Sequence, residues 1–132
     1  MITADQLLCH AIGDYVLQSH WMATNKTKSS SVALYHVLTY AIPFIFLSPS
    51  WLALAVIVGS HFVIDRWRLA RFLVAYKNLF LAPTEEYFRL SETIDMATGY
   101  PADTPPWLSV WLLIIVDNLL HVVCNGLALK YL

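Results

Sequence analysis

Charge is scarce in this chain of 132 residues. Only 13% of residues are Asp, Glu, Lys or Arg, and the formal net charge is −1. No nucleic-acid footprint is visible, because the few basic residues are placed singly rather than massed. Cysteine is nearly missing as well. Cys9 and Cys124 both sit in apolar runs, with no CxxC spacing and no disulfide framework, so they read as small packing residues. The N-terminus has no basic region, and its apolar run is broken by His10, Gly13 and Asp14, which argues against a signal peptide. No Ser or Cys stands in a base-activated motif, so any hydrolysis would have to use water.

What fills the space is apolar: 58% of residues are hydrophobic and mean hydropathy is +0.59. That balance predicts an all-α integral membrane bundle. The expected spans are four, at about 4–21, 32–47, 51–66 and 107–129, forming a single transmembrane domain. An amphipathic surface segment at 67–106 separates the third from the fourth. Thr3 and Gln6 read as a capping box for the first helix, Pro43 as a kink in the second, and 48–50 as a tight turn. Seven of the eight Lys and Arg fall within 24–31 and 66–106. By the positive-inside rule both segments are expected in the cytoplasm and both termini in the periplasm.

Within the oily stretches a few ionisable residues recur at one spacing. His10 and Asp14, His61 and Asp65, and Asp117 and His121 are each four apart, and His36 stands alone. Residues i and i+4 share a helix face, so each pair presents an imidazole and a carboxylate together. Such groups are costly in lipid and usually mark function. Four histidines and three aspartates exceed the ligand set of one tetrahedral zinc. They suit two divalent ions with a bridging carboxylate, zinc first, with manganese or iron also compatible. Asn118 is a candidate to orient these ligands from behind, and Gln18 reads either as such a partner or as a simple helix-end cap. Arg66 and Arg68 are candidates to hold a lipid phosphate. His20, beside Trp21, reads as an interfacial residue. Without a metal the same pairs would serve as interhelical hydrogen bonds, each worth about 0.6–2 kcal/mol.

The run His10-Ala-Ile-Gly-Asp14-Tyr-Val-Leu-Gln18, followed by Trp21-Met22-Ala23 and Lys26, resembles an uncharacterised family of small bacterial and phage inner-membrane proteins. Their pattern is His-x-x-x-Asp-aromatic-x-x-Gln. His36, the 60–65 run ending in Asp65, and Asp117-Asn118-Leu119-Leu120-His121 extend the match. Asn118 departs from the usual Gln there. The family is distantly similar to inner-membrane proteins described as metal-dependent hydrolases. The resemblance implies a hydrolase label without a substrate; taken with the ligand pattern, the expected reaction is hydrolysis of a lipid-linked ester or phosphoester by metal-activated water, with Asp65 and His61 as catalytic candidates. Two rivals remain open: a proton or divalent-ion transporter using the same stripe, and a non-catalytic phage or host membrane protein acting through partners. Membrane lipid is the expected partner, and a homo-oligomer or a membrane-protein partner is compatible.

Overall fold

In the computed structural model, which describes residues 2–132, helix α1 (Ala4–Ala11) starts at the predicted cap. Thr3 Oγ1 accepts the Gln6 backbone N–H at 3.2 Å. The box is only half made, because the buried Gln6 amide donates instead to the Val122 carbonyl at 2.6 Å. Buried donors need partners, and the Val122 carbonyl supplies this one from 116 residues along the chain. After α1 the backbone widens into a π-helical turn, Ile12–Val16, closed by Leu17 N–H to Ile12 O at 2.9 Å. Gly13 lies where this turn crosses Tyr40. A Cβ there would meet Tyr40 Cδ2 at 2.5 Å and Tyr40 O at 2.8 Å.

The chain then forms α2 (His20–Asn25), α3 (Ser30–Tyr40), the short α4 (Ile42–Ile45) and α5 (Trp51–Trp67). Pro43 lies in the first turn of α4, where a missing N–H costs nothing, so the predicted kink becomes a break. Ser48 takes positive φ in the turn before α5, and Ser50 Oγ accepts Ala53 N–H at 3.0 Å. One face of α5 is buried: Ala53, Ile57, His61, Ile64 and Asp65. On α3 it is Val32, Ala33, His36, Val37 and Tyr40. Each stripe begins or ends apolar and carries its histidine in the same row, so the packing that buries the helix also aims the imidazole.

The chain divides into two compact units. The first holds the elements up to Trp67 together with Leu119–Leu132, the last part of α8 (Pro106–Tyr131). Its core is Cys9, Tyr40, Phe44, Ala53, Ile57 and Ala128, so Cys9 packs as expected. The second, Arg68–Asn118, holds α6 (Leu69–Phe80), α7 (Thr84–Thr93) and the start of α8. Two-residue strands β1 (Ile94–Asp95) and β2 (Tyr100–Pro101) pair antiparallel, Ile94 opposite Pro101. Gly99, at φ +79°, closes the hairpin, and a Cβ there would lie 2.3 Å from Arg71 O.

The four-span bundle does not stand, although the all-α class does. Among the described residues one helix is long and apolar enough to cross a membrane, Pro106–Tyr131, with mean hydropathy 1.9. The stretch 4–21 breaks at the π turn, and 32–47 breaks ahead of Pro43. The 17 residues of α5 rise about 25 Å at 1.5 Å each, short of a hydrocarbon core of about 30 Å. A hydropathy window counts composition and passes over such breaks. The multi-pass topology falls with it, and the basic segments no longer set both termini on one side.

Candidate metal centre

Three elements of the first unit bring four side chains to one point. The π turn supplies Asp14, α3 supplies His36, and α5 supplies His61 and Asp65 from successive turns. All four residues are buried, His36 and His61 completely. His36 Nε2 lies 3.1 Å from His61 Nε2, 3.2 Å from Asp14 Oδ1 and 3.1 Å from Asp65 Oδ2. His61 Nε2 lies 3.4 Å from Asp14 Oδ1 and 3.0 Å from Asp65 Oδ2. One ligand atom from each residue falls within 4.8 Å of every other.

These edges can be tested against a metal. A tetrahedron of N and O ligands at about 2.0–2.2 Å from zinc has edges of roughly 3.3 Å. Five edges of the cage run from 3.0 to 3.4 Å. Asp14 Oδ1 makes no hydrogen bond of acceptable geometry despite two imidazole nitrogens within reach. Its lone pairs therefore suit a shared centre better than an N–H. The donor set of two imidazoles and two carboxylates fits zinc, with manganese or iron compatible. A buried His/Asp cluster that could hold a metal ion is thus present.

Electrostatics point the same way. Burial pushes the Asp14 carboxyl up, but the His36 and His61 imidazoles outweigh it and hold it well below the usual carboxylate range. Asp65 behaves alike: burial raises it, and His121, His36 and His61 bring it far down. For His36, burial lowers the value, yet Asp14 and Asp65 together leave it raised. Two carboxylates thus stay ionised in a buried site, the state a dication requires.

Neighbouring rings hold the cage in shape. His61 lies between Tyr40, with centroids 3.7 Å apart, and His121, stacked at 3.9 Å. Asn125 donates to Tyr40 Oη at 2.6 Å, which leaves the phenol hydrogen for His10 Nδ1 at 2.9 Å. Burial also pushes the Tyr40 phenol far up, so it stays protonated. His10 therefore accepts at Nδ1, and its nearest cage carboxylate is Asp14 Oδ2 at 3.7 Å. The wider π turn carries Asp14 toward α3 and α5, so the i,i+4 partner is not its closest contact. His121 Nε2 faces the other oxygen of Asp65 at 3.5 Å.

Asp117 is half-buried, in the second unit, one turn before His121 along α8. Asn118, beside it, donates to Ile114 O at 2.7 Å. Gln18 falls beyond the π turn, off the helix expected to carry it. The Arg66 guanidinium clasps Thr27 O and Ser30 Oγ, and Arg68 in the second unit donates to Ala97 O. His20 is exposed at the start of α2, as its place beside Trp21 suggests.

Lys26, Tyr40, Asn125 and Gln6 are the residues that sequence reasoning left out of the site. Three had a signal: Gln6, Tyr40 and Asn125 stand one turn from His10, His36 and His121, extending the same polar row. Lys26 had no such spacing. Between α3 and α5 the surface also holds an apolar groove of about 480 Å³ lined by Leu34, Val58, Gly59, Phe62 and Val63 with Ser30 and Ser31.

A model of a protein family of unknown function, DUF3307, matches residues 2–128. No curated protein and no solved structure matches the chain.

Proposed function

The chain belongs to the DUF3307 family, and we propose that this member is a metalloprotein in which Asp14, His36, His61 and Asp65 hold one divalent cation, zinc by preference. The observation that carries the reading is the cage itself, five of whose six edges, at 3.0–3.4 Å, come close to those of a tetrahedral ligand set. A cation held there supplies Lewis acidity and makes water a better nucleophile near neutral pH.

The reaction we infer is hydrolysis of a lipid-linked ester or phosphoester. His61, wedged between Tyr40 and His121, has one orientation available and keeps the cage rigid. Asp65 offers one oxygen to the cage and the other to His121, so its carboxylate plane is fixed from both sides. Hydrolysis needs an open coordination position, and the looser side belongs to Asp14, with edges of 3.2 and 3.4 Å on a π turn. The apolar groove beside α3 and α5 supports an amphiphilic substrate. So do the exposed Tyr35 and Leu38 on α3. With α8 long and apolar enough to anchor in a bilayer, membrane lipid is the natural medium.

A second reading is favoured by the same cage: four protein ligands close a site as structural zinc centres are closed. The two readings part in one experiment. Purified chain in detergent, loaded with zinc, is offered chromogenic esters and phosphoesters bearing acyl chains. A turnover rate that falls at least about 100-fold in His61→Gln supports hydrolysis through the site. Stoichiometric metal without turnover on any substrate, together with a loss of melting temperature on metal removal, leaves the structural role.

A further inference from the structure

Lys26 has no part in the reaction as written, yet among the described residues its ammonium is the one lysine or arginine charge paired with the cage. It caps the end of α2, and its Nζ lies 2.8 Å from Asp65 Oδ2 and 3.4 Å from His36 Nε2. Those two atoms form one edge of the cage, 3.1 Å long. The ammonium thus sits over an edge that a cation would have to share. A dication bound to both atoms would stand at about 2.0–2.2 Å from each. The ammonium would then face it across a few ångströms of buried, weakly screened space. Like charges that close cannot both remain.

We propose that Lys26 is the resident cation of the cage: it neutralises the paired carboxylates when no metal is held, and an incoming dication displaces it. The proposal deepens the metal reading and rests on it. Its side chain is 15% exposed, against 10% for Asp14, 3% for Asp65 and none for the two histidines. Of the groups touching the cage, Lys26 has the easiest way out to solvent. The flexible four-carbon stem lets the ammonium swing without moving α2. Competition with a tethered cation also sets a threshold for entry. It favours metals with high affinity for imidazole, zinc above magnesium.

The test uses the full chain in detergent, stripped of metal, as wild type, Lys26→Met and Lys26→Gln. Zinc affinity is read by competition with a chromogenic chelator, cobalt(II) binding by its visible absorption, and metal-free stability by thermal melting. The neutral variants are expected to bind zinc about tenfold or more tightly than wild type, while their metal-free forms melt lower. Gln can still donate to Asp65, so it keeps the proposal testable should Lys26→Met fail to fold. Equal or weaker zinc binding by the neutral variants overturns the proposal and makes Lys26 a group that orients Asp65 for the metal. Binding by a neutral variant alone supports it in its strongest form. No zinc or cobalt bound by any of the three removes the metal reading itself, and this inference with it.

Discussion

Replacing Asp65 by Asn is the sharpest single perturbation the structure offers. Asn keeps the shape but removes the charge from a carboxylate that lies 3.0 Å from His61 Nε2, 3.1 Å from His36 Nε2 and 2.8 Å from Lys26 Nζ. Breaking a buried ion pair by removing one partner costs about 3–5 kcal/mol. Lys26 is partly solvated, so roughly 2–3 kcal/mol is the better expectation here. At about 3–5 °C per kcal/mol for a chain of this size, the metal-free melting temperature should fall by roughly 10 °C. Zinc affinity should fall further than the 10–100-fold typical of losing an outer hydrogen-bond partner, because a charged ligand is lost outright. The assay is a thermal melt in detergent with and without zinc, alongside chelator competition. The expected pattern is a lower metal-free melting temperature and little gain on adding zinc. A variant that binds zinc as tightly as wild type would refute Asp65 as a ligand. One that melts unchanged without metal would refute the Lys26 pairing.

Gly13→Ala should destabilise the first unit by about 1–3 kcal/mol, because its Cβ would meet Tyr40 at 2.5 Å, and an unchanged melt would contradict the packing of the π turn on α3. Tyr40→Phe removes the hydroxyl that Asn125 and His10 share, at a cost of about 1–3 kcal/mol. Pairing it with Asn125→Leu should recover part of that loss, and strict additivity in the double mutant would argue against the network. The metal-free stability should depend on pH with two signs. Asp14 and Asp65 are depressed, so their contribution is present above the unfolded carboxylate pKa of about 4 and is lost as pH falls from there. His36 is raised, so its contribution is full below about pH 6.5 and is lost as pH rises through its folded value. Denaturant titrations should therefore show metal-free stability declining above neutrality while zinc affinity climbs; stability that rises between pH 6 and 8 would contradict the His36 assignment.

The residues of the cage were legible because helices repeat. His61 with Asp65 keeps its i,i+4 relation in α5, and His36 falls in the buried row of α3. Thr3 marked a helix start for reasons local to a few residues, whereas Pro43, read as a kink, lies just past a break. What was not legible depended on partners far along the chain. Gln6 left its expected cap for Val122, 116 residues on, and Lys26 meets Asp65 across 39. The π turn has no sequence signature beyond Gly13, yet it moves Asp14 from His10 toward His36 and His61. Hydropathy overstated the spans because apolar content does not reveal where the backbone breaks. The polar row, followed one more turn, would have found Gln6, Tyr40 and Asn125.

The central claim is that four side chains from three elements form one cation site, and cobalt(II) tests it most directly. Cobalt reports both stoichiometry and geometry in the visible spectrum, and zinc should compete it away. Saturation is expected at one cobalt per chain, with the intense absorption of a tetrahedral or five-coordinate centre. That absorption should be lost in His36→Gln and His61→Gln and retained in His20→Gln, whose side chain is exposed at the start of α2. A spectrum no different from aqueous cobalt, or a signal indifferent to His36 and His61, would contradict it.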